Sequence, residues 1–194
     1  MAELADALDS KSSYGDIVWV RFPPSAWKWF DFSNHFFYNK KRIPMEIKII
    51  SENKKQFIHL LLLADEQENR IDTYLERGTL FVLYDKNMVQ CVCVVTKEQD
   101  NVYEIKNIAV QHKRQGYGKK MLQYIFHYYQ KVCHTLLVGT GNSPLTIPFY
   151  EHCGFTYSHT VKNFFIEHYE KPIFECGIQL VDMIYLKKQL SVPL

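Results

Sequence analysis

The stretch NIAVQHKRQGYGKKML, Asn107 to Leu122, sets two glycines and five basic side chains (His112, Lys113, Arg114, Lys119 and Lys120) where a strand gives way to a helix. The first turn of a helix exposes backbone N–H groups without intrahelical partners, and the helix dipole favours negative charge there, so this junction suits an anion. Two common phosphate loops fail on their own terms. A dinucleotide fingerprint needs G-x-G-x-x-G after the first strand, but position 121 is Met and the loop falls mid-chain. A Walker loop needs an earlier glycine and Ser or Thr after its Lys, whereas Gly118 is followed by Lys119 and Lys120. The residues alone leave a tight turn or a cradle of another kind.

The elements that must position this loop are readable from period. MEIKII (45–50) alternates as a first strand, and ENKKQFIHLLLLADE (52–66) places Phe57, Leu60, Leu61 and Ala64 on one helical face. NRIDTYLERG (69–78) reads as a second helix stopped at Gly78. TLFVLYD (79–85) and MVQCVCVVTKE (88–98) are strands joined at Lys86-Asn87, and NVYEIKNIAV (101–110) is the next strand after a turn at Asp100-Asn101. GYGKKMLQYIFHYYQKV (116–132) is helical, with Met121, Leu122, Ile125, Phe126 and Tyr129 at i, i+3, i+4 spacing. TLLVGTG (135–141) reads as a central strand buried on both faces. PLTIPFYEHCGF (144–155) gives a short helix ended by Gly154, and FTYSHTV (155–161) and IQLVDMIYLKK (178–188) close the chain as strands. This order predicts an α/β domain around one mixed sheet.

Composition bounds the function. Net charge is +2, too balanced to imply nucleic acid as a partner. No apolar run approaches the roughly 20 residues that span a membrane, and five cysteines without CxxC spacing read as reduced thiols of a cytoplasmic protein. His127, His134 and His152 lack metal-ligand spacing, so no metal is expected.

Residues 1–44 read differently from the rest. They crowd Trp, Phe and Pro without a sustained period. MAELADALDSKSS and VRFPPSA resemble a translated bacterial transfer-RNA gene, VRF matching the T-arm sequence GTTCGATTC, and KKR before Met45 is encodable by a purine-rich ribosome-binding site. The expectation is a non-native or disordered leader, a start at Met45, one domain over 45–190 and a tail at 191–194; a partner-binding N-terminal arm is the alternative.

Two segments together resemble the GCN5-related N-acetyltransferase (GNAT) superfamily, as a small bacterial member. Lys113-Arg114-Gln115-Gly116-Tyr117-Gly118 is similar to its pyrophosphate loop [QR]-x-x-G-x-[GA], with Lys113 in place of Gln or Arg. GNSPLTIPFYEHCGF is similar to its N-x-x-A-x-x-[FL]-Y-x-x-x-G-F segment, with Asn142, Tyr150, Gly154 and Phe155 in the matching roles and one extra residue between Asn142 and Tyr150. The resemblance covers about 45–190. It implies a mostly antiparallel mixed sheet with flanking helices and a V-shaped split between the fourth and fifth strands, and acetyl-CoA as co-substrate with an amine acceptor; a homodimer is compatible with it.

The same resemblance assigns roles. Ile108, Ala109 and Val110 would offer backbone groups to the pantetheine, as a strand augments a sheet edge, and one N–H would polarise the thioester carbonyl. Lys113, Arg114, Gln115, Gly116, Tyr117, Gly118 and Lys119 would hold the diphosphate and its flanks, with Asn142 and Tyr150 also at the cofactor. Tyr150 would protonate the leaving thiolate. An amine with pKa near 10.4 is about 3 units too basic at neutral pH, a cost of roughly 4–5 kcal/mol, so a base is useful. Glu104 aligns with the base of several members and points away from Tyr103 and Ile105. Glu167, Glu175, Asp182 or water are alternatives to it, and His159 and His168 are candidates to line the acceptor pocket. The enzyme reading competes with a non-catalytic acyl-CoA sensor, which needs neither Tyr150 nor Glu104, and with a transfer-RNA-acetylating toxin, which calls for more basic surface.

Overall fold

Alternating β-branched and aromatic residues dominate the segments that form strands, and a computed structural model describes them over residues 45–190. The leader (1–44) and the tail (191–194) of the sequence reading lie outside the described residues. The order is β1 (Glu46–Ile50), α1 (Ile58–Leu61), α2 (Glu68–Leu75), β2 (Thr79–Asp85), β3 (Met88–Gln99), β4 (Val102–Val110) and α3 (Tyr117–Tyr129). There follow β5 (Thr135–Gly141), α4 (Thr146–His152), β6 (Thr156–Val161), α5 (Phe164–His168), β7 (Phe174–Glu175), β8 (Ile178–Gln179) and β9 (Met183–Gln189). Seven strands make one sheet ordered β1-β2-β3-β4-β5-β9-β6, antiparallel except between β4 and β5, and β7-β8 is a separate hairpin.

Turn chemistry sets the hairpins. Lys86 and Asn87 both take positive φ (53° and 62°) between the paired Asp85 and Met88, the two-residue turn that matches strand twist. Cys176 and Gly177 (53° and 76°) do the same for β7-β8.

Each face of the sheet has its own core. On one, α3 lays Met121, Leu122, Ile125 and Tyr129 over Phe81, Leu83, Cys91, Cys93, Val95, Ile105 and Leu136. On the other, Phe57, Leu60, Leu61, Ile71, Tyr74 and Leu75 cover Leu80, Val82, Val92 and Val94. Cys91 and Cys93 point to the same side because they are two apart, both buried as free thiols.

Four sequence expectations change. The first helix is a 3-10 turn, Lys54–Phe57, followed by the single α-turn α1, and Ala64 is exposed. Gly78 needs no left-handed angle; a Cβ there would meet Val94 Cγ1 at 2.6 Å and the Tyr74 carbonyl at 2.8 Å, so close approach dictates glycine. β5 buries Leu136 and Val138 but leaves Thr135, Leu137 and Gly139 half-buried, because no helix seals its other face. Ile178–Lys188 is not one strand, and α5 was not legible: Asp182 bends the chain and accepts the Asn163 N–H (2.9 Å) that starts α5.

The C-terminus of α2 carries an unusual cap. Lys54 is 7% exposed and its Nζ donates to the carbonyls of Leu75 (3.0 Å), Glu76 (2.8 Å) and Gly78 (2.9 Å). A cation thus meets the negative end of the helix and satisfies carbonyls that lack helical partners. Lys54→Met, which keeps the stem and removes the donors, is expected to cost about 2–4 kcal/mol. Thermal unfolding followed by circular dichroism should show a fall of several degrees in Tm; an unchanged Tm rejects this role for the cap.

Candidate active site

The basic loop ends in a bare helix start. Gly116 is the residue before the first turn of α3, at φ +80°, a left-handed angle that glycine takes without strain, and Arg114 is also left-handed at 64°. No side chain caps α3 and its first turn holds no acidic residue; Lys120 N–H makes the first helical bond, to the Gly116 carbonyl at 3.1 Å. The N–H groups of residues 116–119 are therefore left for an anion. Lys113, Arg114, Gln115 and Lys119 are exposed around them. Tyr117 is half-buried and donates to Asp85 Oδ2 at 2.7 Å, which ties the start of α3 to the β2-β3 turn. Gly118 is helical, not left-handed; its role is space, since a Cβ would stand 3.3 Å from Phe149 Cζ and 3.7 Å from Val110 Cγ1.

Above this helix start the sheet opens. β4 and β5 pair only from Val102↔Thr135 to Ile105↔Val138, and then part. β4 stays with β3 as far as Val110↔Cys91, while β5 stays with β9 as far as Gly141↔Met183. The edge of β4 that carries Ile108, Ala109 and Val110 thus faces an opening bordered by Gly139–Gly141. Such an edge can pair with an extended chain carrying amides.

The two faces of the opening differ. Tyr150 of α4 lies on the α3 face, 7% exposed, edge-on to Phe149 and Phe155 at ring distances of 5.2 and 5.7 Å. Burial pushes its phenol well above the ordinary tyrosine range, with the nearby Cys93, Cys153 and Glu175 adding to it. It stays a proton donor at working pH. Asn142 is exposed at the end of β5, and the buried Ser143 beside it does the capping: its Oγ accepts the N–H groups of Leu145 (3.2 Å) and Thr146 (3.4 Å).

Glu104 lies on the opposite face and is buried, not solvated. β4 carries a bulge at Lys106, since Val95 faces Ile105 and Val94 faces Asn107. The extra residue brings Glu104 and Asn107, three apart, to the same face. Glu104 pairs with Lys106 at 2.8 Å, and Lys106 also meets Glu98 at 3.6 Å, which Arg77 holds at 2.8 Å. Tyr185 donates to Glu104 Oε1 at 3.4 Å, and its ring stacks on His159 at 4.6 Å and 4°. Tyr185 reaches across because its β5 partner is Gly139, where a Cβ would crowd Tyr185 Cζ at 3.2 Å and overlap Met183.

Among the other carboxylates, Asp182 is engaged by Lys162 (2.7 Å) and Asn163, and Glu167 is exposed. Glu175, half-buried in β7, is near enough to act on Tyr150 electrostatically. His159 joins the Glu104 cluster through Tyr185; His168 instead stacks on Phe164 at 4.5 Å. Tyr185, Lys106, Asn107 and Arg70 received no role from sequence: Tyr185 reads as an ordinary alternating strand residue, and a bulge leaves no period to read. Among the described residues, no group of three or more His, Cys, Asp and Glu side chains could hold a metal ion, and no helix is long and apolar enough to cross a membrane.

Known proteins share this arrangement. The acetyltransferase (GNAT) domain family matches residues 76–157. YvbK of Bacillus subtilis (strain 168), described as an uncharacterized N-acetyltransferase, is 34% identical over 146 residues, covering 73% of this chain and 94% of YvbK. A GNAT family acetyltransferase from Elizabethkingia anophelis, solved with acetyl-CoA bound, is 33% identical, covers 75% of this chain and 98% of its own, and superposes with a TM-score of 0.72. A Bacillus subtilis acetyltransferase in complex with CoA is 34% identical with a TM-score of 0.70, covering 76% and 99%. With a relative of this identity spanning nearly its whole length, and the split sheet above a bare helix start, the chain belongs to the GNAT acetyltransferase family.

Proposed function

We propose that this protein transfers the acetyl group of acetyl-CoA directly to a primary amine of a small molecule or peptide, as a cytoplasmic enzyme. The observation that carries the reading is the β4–β5 opening, with the N–H groups of residues 116–119 at its α3 end, Tyr150 on one face and Glu104 on the other. The free N–H groups and the basic side chains of Lys113, Arg114 and Lys119 suit a diphosphate, and Gln115 and Tyr117 border it. The Ile108–Val110 edge suits the pantetheine amides, and Asn142 stands at the end of β5 beside the same opening.

The cofactor's thioester would lie in the opening, and the amine would arrive from the Glu104 face. A C–N bond forms as the C–S bond breaks; Glu104 takes the amine proton, directly or through water, and Tyr150 gives its proton to the departing sulfur. Burial keeps the Tyr150 phenol protonated at working pH, so its O–H is present to hydrogen-bond the sulfur and passes its proton as negative charge builds there. A pure acyl-CoA sensor would need the opening but neither of these side chains.

Three substitutions test the assignment. Gly118→Val places bulk against Phe149 and across the helix start; acetyl-CoA affinity by calorimetry should fall at least 10-fold, more than any loss of fold stability explains, and unchanged affinity rejects the loop. Tyr150→Phe removes one hydroxyl from a packed ring, so kcat for CoA release should drop about 10–10⁴-fold with the acetyl-CoA Kd nearly unchanged. Glu104→Gln keeps the shape and removes the proton acceptor. Its rate should fall most near neutral pH and recover as pH approaches the acceptor's own pKa, where free amine is abundant; a wild-type pH–rate profile transfers the base role to Glu175 or water. Tight acetyl-CoA binding without CoA release from any amine would favour the sensor.

A further inference from the structure

The face that carries Glu104 also carries a cation that makes no direct ion pair among the described residues. Arg70 projects from α2, and its Cζ lies 5.1 Å from the Phe164 ring centre and 5.0 Å from that of Tyr169, so α5 and the segment after it hold the guanidinium by its faces. Among the described residues, no carboxylate comes within 4.0 Å of it, and Nε is sealed from solvent without a hydrogen-bond partner. Leaving such a donor unpaired is costly.

The acid that its charge reaches, Asp65, is committed elsewhere. Asp65 accepts from the Tyr74 hydroxyl (3.3 Å) and the Tyr169 hydroxyl (3.2 Å), and the Arg70 charge reaches it only at longer range. Tyr74 in turn accepts from Asn107 Nδ2 (3.1 Å), which also donates to the Leu61 carbonyl (3.0 Å). That leaves Asn107 Oδ1, in a side chain 3% exposed, as a buried acceptor without a donor, on the same face of β4 as Glu104. One orphan donor and one orphan acceptor thus flank the network.

Tyr185 connects this cation to Glu104. Its hydroxyl bonds Glu104, and its pKa, pushed up to about 12 mainly by burial and the Glu104 carboxylate, is drawn the other way by Arg70. Contacts tie Arg70 to the same face: Tyr169, whose ring it meets, bonds Asp65, and Asp65 is joined through Tyr74 to Asn107, which shares a face of β4 with Glu104. His159 stacks on Tyr185 beside Glu104, while Phe164 and Tyr169 hold the Arg70 guanidinium.

We propose, resting on the acetyl-transfer reading, that the acceptor is an amine that also bears a carboxylate, with the amine at Glu104 and the carboxylate received by the Arg70 guanidinium. A guanidinium presents parallel N–H donors that match a carboxylate, which an ammonium does not. A neutral amide in place of the carboxylate brings no charge and offers one oxygen instead of two.

The test uses the full chain with glycine, β-alanine, γ-aminobutyrate and ε-aminocaproate, each beside its primary amide, so that the span between amine and carboxylate varies. CoA release is measured with saturating acetyl-CoA. For at least one length, kcat/KM for the acid should exceed that for its amide by about 10–100-fold, through KM. In Arg70→Gln this ratio should collapse towards one, while the amide's kcat/KM and the acetyl-CoA Kd hold. Arg70→Lys, which keeps charge but not the fork, should retain part of the preference and serves where the Gln variant melts early. Acids and amides used equally at every length, or an Arg70→Gln variant that lowers both alike, overturns the carboxylate site alone. No CoA release from any of these amines or from simple alkylamines overturns it together with the transfer reading.

Discussion

The parting of β4 from β5 is the constraint on which the rest of this structure depends. A strand edge inside a sheet leaves peptide groups unpaired, and such groups must find a partner. Neither strand can close the gap alone. β4 is held to β3 on its far side as far as Val110, and β5 is held to β9 as far as Gly141, so closing the split would break a ladder elsewhere. The opening is therefore already formed with nothing bound, so a cofactor lying there would not have to part the strands. The bare start of α3 lies directly beyond the end of β4, so one short loop links an edge that can pair with amides to a helix end that can receive phosphates.

A single extra residue decides what the other face of the opening carries. In an unbroken strand Glu104 and Asn107 would point to opposite sides. The bulge at Lys106 puts both on the face covered by α1 and α2, and Lys106 itself pairs with Glu104. The absence of a side chain at Gly139 lets Tyr185 cross β5 to reach the same carboxylate. Bulges of this kind re-aim side chains at functional sites.

The loop and helix start proposed for the cofactor were legible in the sequence because backbone geometry builds them. Gly116 and Gly118 mark a left-handed angle and a close approach, and both requirements name glycine; the strand and helix periods around them set the order of elements. The side proposed for the acceptor is built from side chains gathered from α2, β4, β6, the α5 segment and β9, residues up to 104 apart, such as Asp65 and Tyr169. No local period records such a meeting. α5 escaped notice for the same reason: five residues carry no sustained pattern, and Asp182, nineteen positions away from Asn163, fixes its start. Glu104 was placed correctly on the strand, but its burial depended on Tyr185 and Lys106, which the sequence did not single out.

The division of the opening into two faces also separates the proposed acid from the proposed base. Tyr150 stands among Phe149, Phe155 and the cysteine-lined core, where desolvation keeps its proton on. Glu104 stands among an ammonium, a phenol and their neighbours, where charge is matched by polar partners. With the sheet between them, each would meet the reacting centre from its own side, the proposed base towards the nitrogen and the proposed acid towards the sulfur. Direct transfer adds the amine to one face of the thioester carbonyl and then expels sulfur from a tetrahedral carbon, so the proposed base and acid act on different atoms of one centre. The split sheet offers them two surroundings: an apolar one that keeps a phenol protonated and a polar one where a carboxylate is matched by Lys106 and Tyr185.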